Sequence, residues 1–182
     1  MAASCLALNL SLAKAAALVS LPVYLDCVGT ILAAALLPGW LAIAVAAATS
    51  LLGGVVISPY FAAYVGTQIV IASVALLSVR LNLFRRWWTA VLAGGLIAVC
   101  AAIVSAPVTV LLFGGVTLSG TTAINAVLIA SGRGIWKSVI TGGMFIESLD
   151  KPTAALLAWV TLRRLPASLR FRNKEADLKT VG

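Results

Sequence analysis

The chain has 182 residues, of which 62% are hydrophobic and only 10% are charged, and its mean hydropathy is +1.12. An ordinary soluble domain is about half apolar and about a quarter charged. A water-soluble globule of this length could not hide so much apolar surface, so composition excludes the soluble, disordered and fibrous classes. The net charge of +8 bears on orientation in a membrane more than on binding to nucleic acid.

The apolar runs consist of Ala, Leu, Val and Ile with little alternation, which favours membrane-spanning helices over barrel strands. Residues 121–149 mix apolar stretches with glycines and cations, and we expect them on the outer side or dipping back into the membrane. A full crossing by 121–146 is the alternative. The expected helices, in chain order, cover residues 3–20, 27–37, 41–52, 60–79, 89–113 and a last segment that begins after Asp150-Lys151-Pro152, with Asp150 as its cap.

Basic residues predict the orientation of these helices. The chain from Arg163 onward carries six of the thirteen basic residues, and the belt Arg80–Arg86 carries three more. The positive-inside rule places both in the cytoplasm, and four apolar segments before the belt place the N-terminus there too. We therefore predict an all-α integral membrane protein with six transmembrane helices and both termini cytoplasmic. Residues 1–166 form a single membrane domain and residues 167–182 a basic cytoplasmic tail.

The sequence lacks the residues that most catalytic and metal sites need. It has no His, and its three cysteines are too widely spaced for a metal or redox motif. We expect no metal site and no enzyme. Asp26, Glu147 and Asp150 are expected at the outer ends of helices, whereas ion coupling usually needs acids at mid-membrane depth. This argues against an autonomous ion-coupled transporter.

Polar residues on the predicted outer half indicate a small-molecule pocket, because small ligands need hydrogen-bonding side chains beside an apolar wall. The alternative for each is an ordinary loop residue at the membrane surface. Arg133 and Lys137 are cations on the side that is usually poor in them, and they suggest an anionic ligand group such as a carboxylate or phosphate. The candidate substrate-binding residues are Tyr24, Asp26, Thr30, Thr117, Ser119, Asn125, Arg133 and Lys137.

Two pairs of small residues indicate close helix packing. Ala13 and Ala17 lie four apart on the first predicted helix, and Ala44 and Ala48 lie four apart on the third. Small residues at this spacing let helix backbones approach closely in lipid. The pairs therefore predict either docking of another membrane protein or packing within this chain.

Taken together, the chain resembles the substrate-binding S components of energy-coupling factor (ECF) transporters, which are ABC importers of vitamins. The resemblance covers roughly residues 10–170 and includes the overall size and the six-helix plan. The segments that carry it are Pro22–Thr30, Pro38-Gly39-Trp40, Phe113–Gly120, Glu147–Lys151 and Leu165-Pro166.

The resemblance implies a membrane-embedded subunit that captures a small water-soluble vitamin or related micronutrient outside a prokaryotic cytoplasmic membrane. It implies a transmembrane T component and two ATPase subunits as partners. ATP binds to those subunits, so this chain would carry no cofactor and would bind no nucleic acid. Ala13 and Ala17 match the Ala-x-x-x-Ala docking motif of the family, and Lys14 within it would reach the cytoplasmic surface.

Two other classes fit the same composition. One is a stand-alone secondary transporter or channel, which would work without ATP. The other is a non-catalytic subunit of a larger membrane complex, which would hold no small ligand. The sequence names neither the substrate nor whether the energising module is shared with other proteins.

Overall fold

The computed structural model describes residues 1–19, 21, 23–115 and 121–166, with side chains from Ile124 onward in the last of these segments. In this part of the chain the secondary structure is entirely helical, as the composition predicts. A 3₁₀ helix spans Leu83–Arg85. The α-helices are α1 (Ala2–Leu18), α2 (Val28–Leu36), α3 (Gly39–Val56), α4 (Tyr60–Ala63), α5 (Val65–Arg80), α6 (Trp87–Phe113), α7 (Thr121–Ala130) and α8 (Ile135–Arg164).

The short helix α2 lies at the centre of the fold. It contacts α1, α3, α5 and α8, and eight of its nine residues are buried. Its side chains are apolar apart from Thr30, so the helix is apolar on every face, which is the pattern of a helix surrounded by others. The first loop, which precedes α2, is therefore anchored to the middle of the bundle.

Helix α6 packs along α8, and a glycine allows the closest approach. A Cβ atom added to Gly94 would lie 2.5 Å from the Cα of Pro152 and 2.7 Å from the carbonyl oxygen of Lys151. No side chain fits at that distance, so Gly94 brings the two helix backbones into direct contact.

A buried amide joins the first three helices. Asn9 on α1 donates hydrogen bonds from Nδ2 to the hydroxyls of Thr30 and Thr49, both at 2.9 Å. Its Oδ1 accepts the backbone N–H of Gly29 at 2.6 Å. Because every polar atom of this side chain has a partner, the buried amide holds α1, α2 and α3 in one register.

Two helices of the described chain, α3 and α6, are long and apolar enough to cross a membrane, judged by length and composition. Helices α1 and α5 are apolar but shorter. Large apolar side chains also cover the outside of the molecule: Ile103 on α6 is 65% exposed and Val55 on α3 is 85% exposed. Soluble monomers rarely expose apolar surface of this extent.

The predicted start of the last helix is wrong. Helix α8 runs unbroken through Gly142-Gly143 and Pro152, so most of the stretch predicted as irregular is helical and Asp150 lies inside a helix rather than capping one. Proline removes a single N–H donor, and the backbone contact with α6 supports the helix at that point. In apolar surroundings the remaining backbone groups have no better partners than one another.

Other helix bounds differ from the prediction by smaller amounts. Helix α3 continues through Gly53-Gly54 instead of ending before it, and the segment predicted as one helix over 60–79 is divided at Tyr64 into α4 and α5. Helix α6 ends where predicted, because Gly114 adopts the left-handed conformation (φ 60°) that terminates helices. The predicted tail, 167–182, lies outside the described residues.

Candidate functional site

A cavity of about 100 Å³ lies between the first loop and helices α4 to α8. The first loop contributes two side chains, Ser58 and Tyr64 lie in the connections on either side of α4, and the five helices contribute the rest. The polar lining side chains are Tyr24, Asp26, Ser58, Tyr60, Tyr64, Thr67, Gln68, Ser105, Thr109, Asn125, Glu147 and Lys151, and the apolar ones are Phe61, Ile71 and Val139, with Gly143 between two of the α8 residues.

Helical spacing explains how α8 serves this cavity. Val139, Gly143, Glu147 and Lys151 all line it, and each follows the previous one by four residues. Residues four apart lie on the same face of a helix. The face is apolar at its start and charged at its middle, so the charged groups lie deep in the molecule and not at a helix end.

The charged part of the cavity is a cluster of one ammonium and three carboxylates. The Nζ atom of Lys151 lies 2.6 Å from Asp150 Oδ2, 3.2 Å from Asp26 Oδ1 and 3.3 Å from Glu147 Oε2. All four residues are buried. Among the described residues, Lys151 is the only cation paired with these acids. When all four groups are ionised, two negative charges have no counterpart.

The two aspartates are held by further hydrogen bonds. The Oδ1 atom of Asp150 accepts the backbone N–H groups of Tyr24 at 2.9 Å and of Leu25 at 2.7 Å. The Oδ2 atom of Asp26 accepts Gln68 Nε2 at 2.6 Å. The first loop is thus fastened to α8 by its backbone and by Asp26, and to α5 through Gln68.

Four buried oxygen atoms at the cavity have no hydrogen-bond partner. They are Gln68 Oε1, Thr67 Oγ1, Asn125 Oδ1 and Glu147 Oε2, and all four residues line the cavity. Glu147 Oε2 accepts no hydrogen bond but takes part in the ion pair with Lys151. Buried polar atoms in proteins nearly always have a partner, so several such atoms around one space suit hydrogen-bonding groups supplied by water or by a ligand. The arrangement suits binding, and the described lining holds no nucleophile paired with a base.

Aromatic rings form another wall of the cavity. Phe113 packs against Tyr60 with ring centroids 4.9 Å apart and against Tyr64 with centroids 6.0 Å apart. The Tyr64 hydroxyl lies 2.9 Å from Thr109 Oγ1, which fixes the ring against α6. The cavity therefore combines an aromatic wall with a charged end, the pattern of small-ligand sites.

Three residues predicted from sequence come together at this cavity: Tyr24, Asp26 and Asn125. Thr30 does not line it, because its hydroxyl accepts the hydrogen bond of Asn9 between α1 and α2. Thr117 and Ser119 lie outside the described residues, so their predicted role stays a prediction.

The two cations predicted to hold an anionic ligand are not brought to the cavity. Arg133 lies in the turn before α8, and Lys137 lies in its first turn. Both side chains are exposed, and neither is among the lining residues. The charged groups at the cavity are three acids and one lysine. Acids therefore outnumber cations there, whereas the prediction had two cations at the ligand.

Sequence analysis missed two important residues of the site, Gln68 and Lys151, and it considered Glu147 for the pocket without keeping it among the candidates. Glu147 and Lys151 are four apart and oppositely charged, a spacing that pairs side chains on one helix face. The predicted last helix began after Lys151, so this spacing was not assigned to one helix face. No signal in the sequence marks Gln68, since a glutamine inside an apolar helix is equally compatible with several faces.

The residues predicted to dock a partner have different positions. Ala13 is only 3% exposed and packs inside this chain, whereas Ala17 and Ala44 are exposed and Ala48 is half-buried. Lys14 donates a hydrogen bond of 3.2 Å to the carbonyl of Val56, at the end of α3 that leads into the cavity wall. Lys14 was predicted to reach the cytoplasmic surface, the side assigned to Arg80, but it lies at the C-terminal end of α3 instead.

A group of three possible metal ligands coincides with the charged cluster. Ligand atoms of Asp26, Cys27 and Asp150 all lie within 4.8 Å of one another. The ammonium of Lys151 is already within 3.2 Å of both carboxylates. A metal ion at these oxygens would have to displace a buried lysine, so the donor set fits an internal ion pair better than a metal centre.

In comparisons with protein-family models, with curated proteins and with solved structures, the chain matches none of them. Its function is therefore argued from the cavity and from the surface of the molecule.

Proposed function

We propose that this chain is a multi-pass membrane protein that binds a small solute in the cavity between the first loop and α8. In this proposal α1, α3, α5, α6 and α8 cross the membrane, the α4–α5 pair counting as one crossing and α7 lying on the outer side. The nine-residue α2 is too short to cross alone, and it returns the chain through the middle of the bundle together with the segments that flank it. The apolar outer surface supports this arrangement, because lipid accommodates such a surface and water does not.

The proposed orientation places both ends of the described chain in the cytoplasm. With that orientation the C-terminal ends of α5 and α8 lie on the cytoplasmic side, together with their basic residues. A contact supports the grouping: Nη2 of Arg163 donates a hydrogen bond of 2.8 Å to the carbonyl of Arg85. The same orientation leaves the cavity near the outer surface, where a solute from outside would enter.

The function that we propose is that of an S component of an ECF-type importer. The cavity is the observation that carries the proposal, because it joins buried, unpaired hydrogen-bonding groups to an aromatic wall and is reached from the outer side in the proposed topology. An S component needs only a binding site and a surface for its membrane partner. The exposed Ala17 and Ala44 are available to such a partner.

A secondary transporter driven by an ion gradient is the second candidate, and one specific observation favours it. Glu147, Asp150 and Lys151 lie in the middle of α8 and are buried. Ionisable residues within membrane-spanning helices are costly and often mark a path for protons or ions. The sequence argument against ion coupling assumed that these acids lie at helix ends, and that assumption is wrong.

Purification from native membranes in a mild detergent tests the proposal. We expect the tagged chain to bring with it two ATPase subunits and one further membrane protein, and uptake to stop when ATP hydrolysis is blocked. Recovery of the chain alone, together with solute counterflow in proteoliposomes that lack ATP, would instead establish the ion-driven transporter. A Glu147→Gln variant, which changes one lining side chain and keeps Lys151, serves as the control with an altered cavity.

A further inference from the structure

Taking the proposed binding function as its basis, we propose that the cavity binds a small organic cation. The ligand would carry a protonated primary amine on an apolar or aromatic body, with Glu147 as the partner of its charge. This is a different ligand class from the anion that the positions of Arg133 and Lys137 suggested in the sequence.

The charge of the cavity supports a cation. Three carboxylates face one ammonium, and burial makes the unbalanced negative charge costly unless a positive group joins it or a carboxylate takes up a proton. Asp150 has two backbone donors besides Lys151, and Asp26 has Gln68. Among the described side chains Glu147 is paired with Lys151 alone, at 3.3 Å, the longest of the three ion pairs. Glu147 is therefore the acid whose charge is least satisfied by the chain itself.

The unpaired atoms around the cavity support an amine in particular. Gln68 Oε1 and Asn125 Oδ1 are acceptors without a hydrogen-bond partner, and Glu147 Oε2 is an acceptor whose one contact is the ion pair with Lys151. All three residues are at least nine-tenths buried. A primary ammonium has three N–H donors and no acceptor, so it complements such a set. A carboxylate or phosphate would place its oxygens against these oxygens and leave all of them unpaired.

The aromatic wall supports a cation with an apolar body. Tyr60, Phe61 and Tyr64 line the cavity together with the charged residues. Aromatic faces attract cations within about 6 Å, and aromatic edges accommodate apolar groups. One such contact already lies at the cavity, since Lys151 Nζ is 5.5 Å from the centroid of the Tyr24 ring.

Three probes of similar shape and different charge test the inference on the purified full-length protein. They are benzylammonium, benzyl alcohol and benzoate, each titrated into the protein in detergent micelles at constant ionic strength while binding is followed by calorimetry. We expect benzylammonium to bind at least ten times more tightly than either of the others. Equal or tighter binding of benzyl alcohol or benzoate would overturn the cationic class while leaving the binding function intact.

Variants then test the role of Glu147. We expect Glu147→Gln to weaken benzylammonium binding at least tenfold, Glu147→Asp to restore part of it, and Lys137→Gln, on the same helix but outside the cavity, to leave it unchanged. Unaltered binding by a folded Glu147→Gln protein would overturn the role of this acid. The comparison of the three probes needs no variant and stands if Glu147→Gln fails to fold.

Two further outcomes separate this inference from its basis. Sodium chloride and N-methylglucamine chloride are compared as the supporting salt. If sodium alone abolishes benzylammonium binding in proportion to its own occupancy, the cavity is an inorganic cation site and the organic ligand class is wrong. If none of the three probes binds at millimolar concentrations, the cavity is not a ligand site and the proposed function fails with it.

Discussion

Asp26 and Lys151 are 125 residues apart in the chain, and their side chains meet at 3.2 Å inside the protein. One belongs to the first loop and the other to the middle of the last described helix. Their contact makes the cavity a product of the whole fold, because neither α8 nor the first loop forms the charged end alone.

Removing the ammonium should destabilise the protein strongly. We expect Lys151→Met to lower the free energy of unfolding by about 3–5 kcal/mol, because three buried carboxylates lose the one cation that pairs with them in the described part of the chain. Lys137→Met is the matched control on the same helix, and since Lys137 is exposed it should change stability by less than about 0.5 kcal/mol. Unfolding in mixed micelles measures both, and equal values for the two variants would contradict the buried cluster.

The contact between α6 and α8 should depend on one of two adjacent glycines. Gly94→Ala places a methyl group against the backbone of Pro152 and should cost about 1–3 kcal/mol through overpacking. Gly95→Ala is its control, because nothing lies within 4 Å of the added atom, and it should be neutral or stabilise the helix by up to about 1 kcal/mol. Melting temperatures of the two variants provide the comparison. A lower value for Gly95→Ala than for Gly94→Ala would show that the helices pack differently.

Loss of the Asn9 amide should loosen the first three helices. In Asn9→Ala the buried N–H of Gly29 loses its acceptor and two threonine hydroxyls lose a donor, so we expect a loss of about 1–3 kcal/mol for each group left unpaired. Ser11→Ala, at an exposed site on the same helix, should have little effect. Hydrogen exchange of the Gly29 amide measures the local consequence, and unchanged protection there would contradict the proposed role of Asn9.

The proposed topology predicts which side of the membrane a reagent reaches. In a background without the three native cysteines, a cysteine at position 133 should react with a membrane-impermeant maleimide added to intact cells. A cysteine at position 164 should react only after the membrane is opened. Both native arginines are exposed at opposite ends of α8, which makes them a matched pair. Labelling of position 164 from outside would reverse the orientation and move the cavity to the cytoplasmic side.

The helical character of the fold could be predicted from the apolar runs, because few other structures satisfy backbone groups in apolar surroundings. The ends of the helices were harder to predict. Gly53-Gly54 and Pro152 break helices in water, yet here both lie inside helices that tertiary contacts support. The local preference of glycine and proline for ending a helix was outweighed by contacts with neighbouring helices. Those contacts join residues far apart in the chain, so they could not be predicted from the local sequence.

The site was predicted in part for a related reason. Tyr24 and Asp26 stand out because they interrupt an apolar stretch next to a proline, so their place near a loop could be inferred. Gln68 and Lys151 lie within helical segments, and whether such a residue faces a cavity depends on partners far away in the chain. Arg133 was predicted at the site because of its charge, yet its side chain is exposed and does not line the cavity.

The fastening of the first loop to Asp150 has a consequence for biosynthesis. Two backbone amides of the loop, those of Tyr24 and Leu25, have their acceptor in a helix that the ribosome completes last among the described elements. During synthesis these two amides therefore lack this acceptor until 125 or 126 further residues are added, whereas Asp26 can meet Gln68 after 42. Because α8 is synthesised last among the described helices, the first loop can reach its final position only after α8 has been inserted.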